Sequence, residues 1–319
     1  MTSREKKRKY IFDKYSTNLI LLKKNGIVDI QLSYDKTYIC PICLNQFSEE
    51  SLDQSVKNPL TLEDAPPKSL GGKANILTCK ECNNTCGHEI DKHLTERIIE
   101  IDNHKFTVNS EFSAQFEIDG KLVQGRIIID SNGIMKAYHI DKNNNPIKLK
   151  DYLKTINKDK VVNIHIDKKK VNPINMQLAL LKTGLLLVFE KYGYSFILDE
   201  SYNRLREQLQ NPLKIIYPLE FWMKVPWPKE IYGVPFIIEK GIESVCPIFP
   251  LKTKSSEYVF ATIIPLTNKP IEDLILELKK RFTKQSEFPV SFDPMNSDVD
   301  YLSDIKAINK MLNWIKQIH

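Results

Sequence analysis

Two cysteine pairs, Cys40-Pro41-Ile42-Cys43 and Cys79-Lys80-Glu81-Cys82, carry the clearest chemistry in this chain. A gap of two residues lets one tight turn aim both sulfurs at a single point. Two such pairs form the four-thiolate set that holds structural zinc. Cys43 and Cys79 stand 36 positions apart, enough for a small hairpin between the pairs. In a reducing compartment such pairs are metal ligands more often than disulfides. Cys86 and Cys246 are left over and read as a small helix residue and a buried strand residue.

The elements that must position these sulfurs follow from periodicity. Residues 1–37 form a basic N-terminal segment, with a charged tail, an apolar patch at Leu19–Leu22 and a turn at Asn25-Gly26. The zinc module spans 38–100 and ends in a helix from Asn84 onward, with Ile90, Leu94 and Ile98 at helical spacing. From 101 to 319 the pattern is a larger α+β domain. Phe106–Ile118, Leu122–Asp130, Ile134–Ile140 and Val161–Ile166 alternate as strands, with hairpin signals at Asp119-Gly120 and Asn132-Gly133. Asn175–Tyr192 and Ser201–Gln210 read as helices, followed by short strands and two closing amphipathic helices. The expected fold class is thus α+β: an N-terminal zinc module followed by a larger mixed domain.

Composition bounds the function classes. The chain has 319 residues, 42% hydrophobic and 27% charged, as soluble globular proteins do. No apolar run reaches the roughly 20 residues that span a bilayer. The basic N-terminus lacks the apolar stretch of a secretory signal, so a cytoplasmic location and no membrane partner are expected. The net charge of +6 is concentrated: residues 1–10 hold five Lys or Arg against one acid. Overall charge therefore says little about nucleic acid, and a local basic patch would have to supply the contact.

Between the cysteine pairs lie Glu63-Asp64-Ala65-Pro66-Pro67-Lys68-Ser69-Leu70-Gly71-Gly72 and Asn75-Ile76-Leu77-Thr78-Cys79, then Cys82-Asn83-Asn84 and Gly87…Asp91. In this order and spacing the segment resembles the HNH endonuclease family, in its zinc-stabilised subgroup. The resemblance implies a β-hairpin followed by a helix, the ββα-metal fold, gripping one divalent cation. It implies that Glu63 helps hold Mg2+ or Mn2+, that Asn75 orients the catalytic base, and that Asn83 completes the cation site. Lys68, Lys73 and Lys80 are then candidates for phosphate contacts. Oxygen ligands suit magnesium or manganese and thiolates suit zinc, so the implied module uses two metals in separate roles.

One position departs from the family. Where it places a histidine as general base, this chain has Asp64, whose ordinary pKa near 4 makes it a far weaker base at neutral pH. Three readings stand open: Asp64 works as a variant base or extra metal ligand, the module no longer cuts, or another histidine enters, His88 and His93 being nearest. Read structurally, Glu63-Asp64 is a solvated strand end and Asn83 is a helix cap. Arg204 and Arg206 read as either a phosphate contact or the exposed face of a helix.

The functional expectation is a metal-dependent HNH-like endonuclease that hydrolyses DNA phosphodiester bonds, with defence against foreign DNA expected only by association. Residues 101–319 would supply recognition or regulation, with a homodimer or accessory protein as candidate partners. The alternative is a catalytically inactive zinc module that binds nucleic acid or protein.

Overall fold

A computed structural model describes residues 2–157, 159–166, 168–220, 222–267, 270–284, 290–293 and 299–318. The fold is α+β, as expected, and the chain forms two compact units that interleave along the sequence. The first comprises Met1–Leu94, Asn172–Leu251 and Tyr258–His319, the second Thr95–Val171 and Lys252–Glu257. Residues 38–94 thus share a unit with the N-terminal segment and with much of the C-terminal half.

The N-terminal segment is not a tail. Helix α1 runs Ser3–Lys24, opened by a capping box in which Thr2 accepts from the Glu5 amide and Glu5 from the Thr2 amide. Ile11, Phe12, Tyr15, Leu19 and Leu22 recur at spacings of about one helical turn and are all buried, while Lys6, Lys7, Lys23 and Lys24 are exposed. Asn25 and Gly26 end the helix, Gly26 with φ +67°.

Two short strands, β1 (Tyr38–Ile39) and β2 (Gln46–Phe47), pair around the first cysteine pair. The hairpin β3 (Leu60–Ala65) and β4 (Lys73–Cys79) follows, antiparallel with a bulge between Glu63 and Asp64. Its connecting loop is tight: a Cβ at Gly72 would lie 1.5 Å from the Pro66 carbonyl oxygen, so only glycine fits. Helix α2 (Lys80–Cys86) begins directly where β4 ends, and α3 (Lys92–Asn103) carries the chain into the second unit.

The second unit is built on a four-stranded antiparallel sheet of β5 (Glu111–Ile118), β6 (Lys121–Ile129), β7 (Met135–His139) and β8 (Asn163–Ile166), in the order β7-β6-β5-β8. Asp119 and Gly120 both take positive φ, the primed turn that matches strand twist. One sheet face buries Phe112, Phe116, Val123 and Ile127 against Leu149 and Tyr152 of α4 (Pro146–Leu153).

Back in the first unit, α5 (Pro173–Tyr192) is capped by Asn172 and is buried along almost its whole length. Its Gly184 lets it approach Thr262 so closely that a Cβ would lie 2.2 Å from the threonine hydroxyl. Helices α6 (Tyr194–Ile197) and α7 (Asn203–Gln210) follow. Arg206 on α7 is buried, its guanidinium donating to the Ile197 and Asp199 carbonyls. Only Arg204 faces solvent, paired with Glu272.

Two small sheets and the amphipathic helices α8 (Ile271–Lys284) and α9 (Ile305–Ile318) complete this unit. No helix among the described residues is long and apolar enough to cross a membrane.

Candidate metal centre and the carboxylate–lysine cluster

Aromatic packing sets the first cysteine pair. Phe12 and Tyr15 of α1, Tyr38 of β1, Phe189 of α5 and Tyr194 of α6 form one ring cluster. Tyr194 hydrogen-bonds the backbone of Ile39 through its hydroxyl, accepting from the amide at 2.7 Å and donating to the carbonyl at 2.9 Å. Tyr38 does the same for Leu77, with 2.7 Å to its carbonyl and 3.2 Å from its amide. Since Cys40 follows Ile39 and Cys79 lies two residues beyond Leu77, these bonds fix one cysteine pair against the other. Within the first pair the turn closes by Leu44 N–H to the Cys40 carbonyl, 2.9 Å.

The sulfurs of Cys40, Cys43, Cys79 and Cys82 all lie within 4.8 Å of one another, Cys43 and Cys79 at 3.8 Å. Zinc–sulfur bonds of about 2.3 Å in a tetrahedron require sulfur separations of about 3.8 Å. The four cysteines can therefore hold a metal ion such as zinc. Four thiols this close ionise unequally. Hydrogen bonds from Cys40 and Cys82 pull Cys43 below the ordinary thiol range against an opposing effect of Cys79, those from Cys40, Cys43 and Cys82 pull Cys79 down, burial raises Cys40, and the neighbouring thiols raise Cys82. A bound cation would relieve that conflict by favouring every thiolate. Cys86 is buried on the same helix but stands outside the cluster.

The oxygen and nitrogen groups that sequence singled out on the hairpin are brought to three separate partners. Glu63 points inward and is 4% exposed. Its Oε2 accepts from Thr78 Oγ1 at 3.0 Å, and its Oε1 lies 2.8 Å from the Nζ of Lys182 on α5. The solvated strand end expected for Glu63 is therefore incorrect. Asn75 donates through Nδ2 to Glu190 Oε1 at 2.8 Å. Glu63 and Asn75 are near neighbours across the hairpin, at the bulge between the Glu63–Ile76 and Asp64–Ala74 pairs, but they bond to residues eight positions apart on α5. Asn83 lies inside α2, whose N-cap residue is Cys79, so it does not cap that helix. Its Nδ2 donates to Thr61 Oγ1 at 3.0 Å and to the Leu62 carbonyl at 3.1 Å, tying α2 to β3.

Lys182 and Asp91 are the pair that sequence reasoning missed. Lys182 is 0% exposed, and its Nζ also reaches Asp91 Oδ2 at 2.6 Å. Burial opposes its charge, but Glu63 and then Asp91 outweigh burial and hold the ammonium above its ordinary pKa. Two buried acids sharing one cation leave an excess of negative charge. Asp91 is accordingly raised, chiefly by burial, with Lys182 opposing and Glu63 adding to the rise. Its Oδ1 is buried and has no hydrogen-bond partner among the described residues. The signal was present in sequence as a lone lysine inside the apolar run Leu178–Leu186, since a buried lysine demands acids.

Asp64, half-buried beside the bulge, is raised by burial and by Glu63, with Lys68, Lys7 and Lys182 pulling the other way. His93 Nδ1 accepts from the Asn172 amide at 3.2 Å, and His88 is exposed. Lys68 and Lys73 are exposed at the loop end of the hairpin. Lys80 is exposed at the opposite end of β4, about 20 Å away along the strand.

Glu63, the carboxylate that the resemblance gives to the catalytic cation, does not fit that role as it stands, because it is already paired with the buried Lys182 ammonium. Comparison with protein-family models, with curated proteins and with solved structures finds no match.

Proposed function

We propose that this chain carries a zinc-clamped, HNH-like module that binds nucleic acid, DNA first, without hydrolysing it. What supports the kinship is the junction at Cys79: a hairpin runs directly into a helix there, with thiols on both sides of the join. Asn83, four residues on, ties that helix back to the first strand. The observation that carries the non-hydrolytic half is the commitment of Glu63 to the buried Lys182 ammonium. A hydrolytic site needs its cation ligands and base free to meet substrate.

Binding would rest on the exposed lysines of the hairpin loop, Lys68 and Lys73, with Lys7 of α1 close enough to act on the same carboxylate, Asp64. Lysines that neutralise phosphates release condensed counterions, so the affinity must fall steeply with salt. The test is a titration of a fluorescent duplex followed by anisotropy at several salt concentrations. The reading expects saturable binding with a salt slope that shrinks in Lys68→Glu. Absence of binding at low salt contradicts it.

A second reading is an endonuclease with Asp64 as base and Mg2+ or Mn2+ at Glu63 and Asn83. One observation favours it: burial raises the half-exposed Asp64 carboxyl toward a range where a base is useful. It expects cation-dependent nicking that is lost in Asp64→Ala.

A further inference from the structure

Lys182 contacts Glu63, the carboxylate to which the HNH resemblance would give a divalent cation. We infer that its ammonium is this chain's own replacement for that cation, a covalently tethered positive charge that makes Mg2+ and Mn2+ unnecessary to the module. The inference rests on the HNH-like reading for one thing only, that a cation belongs against Glu63.

The geometry carries the rest. Nζ contacts Glu63 Oε1 at 2.8 Å and Asp91 Oδ2 at 2.6 Å, so one ammonium bridges carboxylates from the hairpin and from the segment after α2. These are charge-assisted bonds to two distant points of the chain, 119 and 91 positions away. A divalent ion at Glu63 would need about six oxygens at close range, and a buried ammonium would repel it.

Nor can Lys182 swing aside. Leu178, Leu181, Leu185 and Leu186 on the same helix are all buried, as is the lysine itself, so moving it means unpacking α5. An isolated charge there would be strongly unfavourable, which is the physical reason two acids accompany it. Asp91 then has a definite role as the second acid of an internal ion bridge, and its unpartnered Oδ1 marks where a fuller coordination shell is not made.

Replacing the ammonium by a small side chain should leave Glu63 and Asp91 facing a space with a net negative charge. That predicts a gain of cation binding on loss of lysine. The experiment uses the full, zinc-loaded chain and titrates Mn2+, following the free-ion signal by electron paramagnetic resonance. Manganese prefers oxygen to thiolate, so the cysteine site does not compete. Wild type is expected to leave the free Mn2+ signal undiminished. Lys182→Ala is expected to remove Mn2+ from solution, and Lys182→Ala with Glu63→Gln to lose that uptake.

Uptake by wild type that disappears in Glu63→Gln overturns the inference, because the cation would then have displaced the lysine. A folded Lys182→Ala that takes up no Mn2+ also overturns it. If Lys182→Ala does not fold by circular dichroism, Lys182→Ser replaces it under the same criteria. None of these readouts depends on nucleic acid, so failure here and failure of DNA binding are separate results.

Discussion

The Nζ of Lys182 lies 2.8 Å from Glu63 Oε1, with both side chains inside the core and 119 positions apart in sequence. This bond fastens the central helix to the hairpin between the cysteine pairs. It also turns a carboxylate that sequence assigns to a metal into half of an ion pair.

Loss of one partner should be far worse than loss of both. Lys182→Met leaves two buried carboxylates facing each other and is expected to cost about 3–5 kcal/mol. Glu63→Gln leaves the lysine with Asp91 and is expected to cost less, about 1–3 kcal/mol. The double variant should recover part of the Lys182→Met loss. Urea unfolding midpoints at constant slope measure all three.

The pair was hidden for a physical reason. Spacing announces the cysteines because a single turn must aim both sulfurs, a local constraint. The Asp119-Gly120 hairpin was legible on the same ground, since the turn needs two positive φ values from adjacent residues. Lys182 and Asp91 meet only through tertiary packing, and no local rule joins residues 91 positions apart. Helix α1 was missed because its first two turns are charged, and Ile11, Phe12 and Tyr15 read as a stripe only when the helix is known. Asn83, read as a cap, lies inside α2 and is a strut from that helix to β3.

That strut gives the next prediction. Asn83→Ala removes two hydrogen bonds and leaves the Leu62 carbonyl without this donor, an expected loss of about 1–2 kcal/mol. Thermal unfolding of the zinc-loaded chain measures it. Thr61→Val removes the Asn83 bond to Thr61 together with the bond from Thr61 Oγ1 to the Thr78 carbonyl, and should cost a similar amount.

Zinc removal should destabilise the first unit outright. Metal analysis should find about one zinc per chain, lost in Cys40→Ser or Cys82→Ser. Cys86→Ser and Cys246→Ser should retain it, because neither sulfur belongs to the cluster. A strong chelator should lower the melting temperature of wild type by more than that of Cys40→Ser.

The pH dependence follows from Asp91, whose carboxyl is pushed up to about 6 in the folded chain from the ordinary aspartate value of 3.8. Between those values the folded state binds more protons than the unfolded one, so this group's contribution is fully present at low pH and declines as pH rises toward 6. Melting temperatures of wild type relative to Asp91→Asn should therefore fall from about pH 4 to about pH 6 and then level off. The zinc site changes over the same range in both proteins, so the difference isolates Asp91.

Charge reversal on the hairpin should act by position. Lys68→Glu and Lys73→Glu, at the loop end, should weaken duplex binding and flatten its salt dependence by about one unit each or more. Lys80→Glu, at the far end of β4, should have a smaller effect. Equal effects at all three would place the contact elsewhere.

The most direct measurement is plasmid nicking by the zinc-loaded chain with Mg2+ and with Mn2+, run beside duplex binding on the same preparation. The account predicts binding without nicking in either cation. Nicking that requires the cation and is abolished by both Asp64→Ala and Glu63→Gln would contradict it.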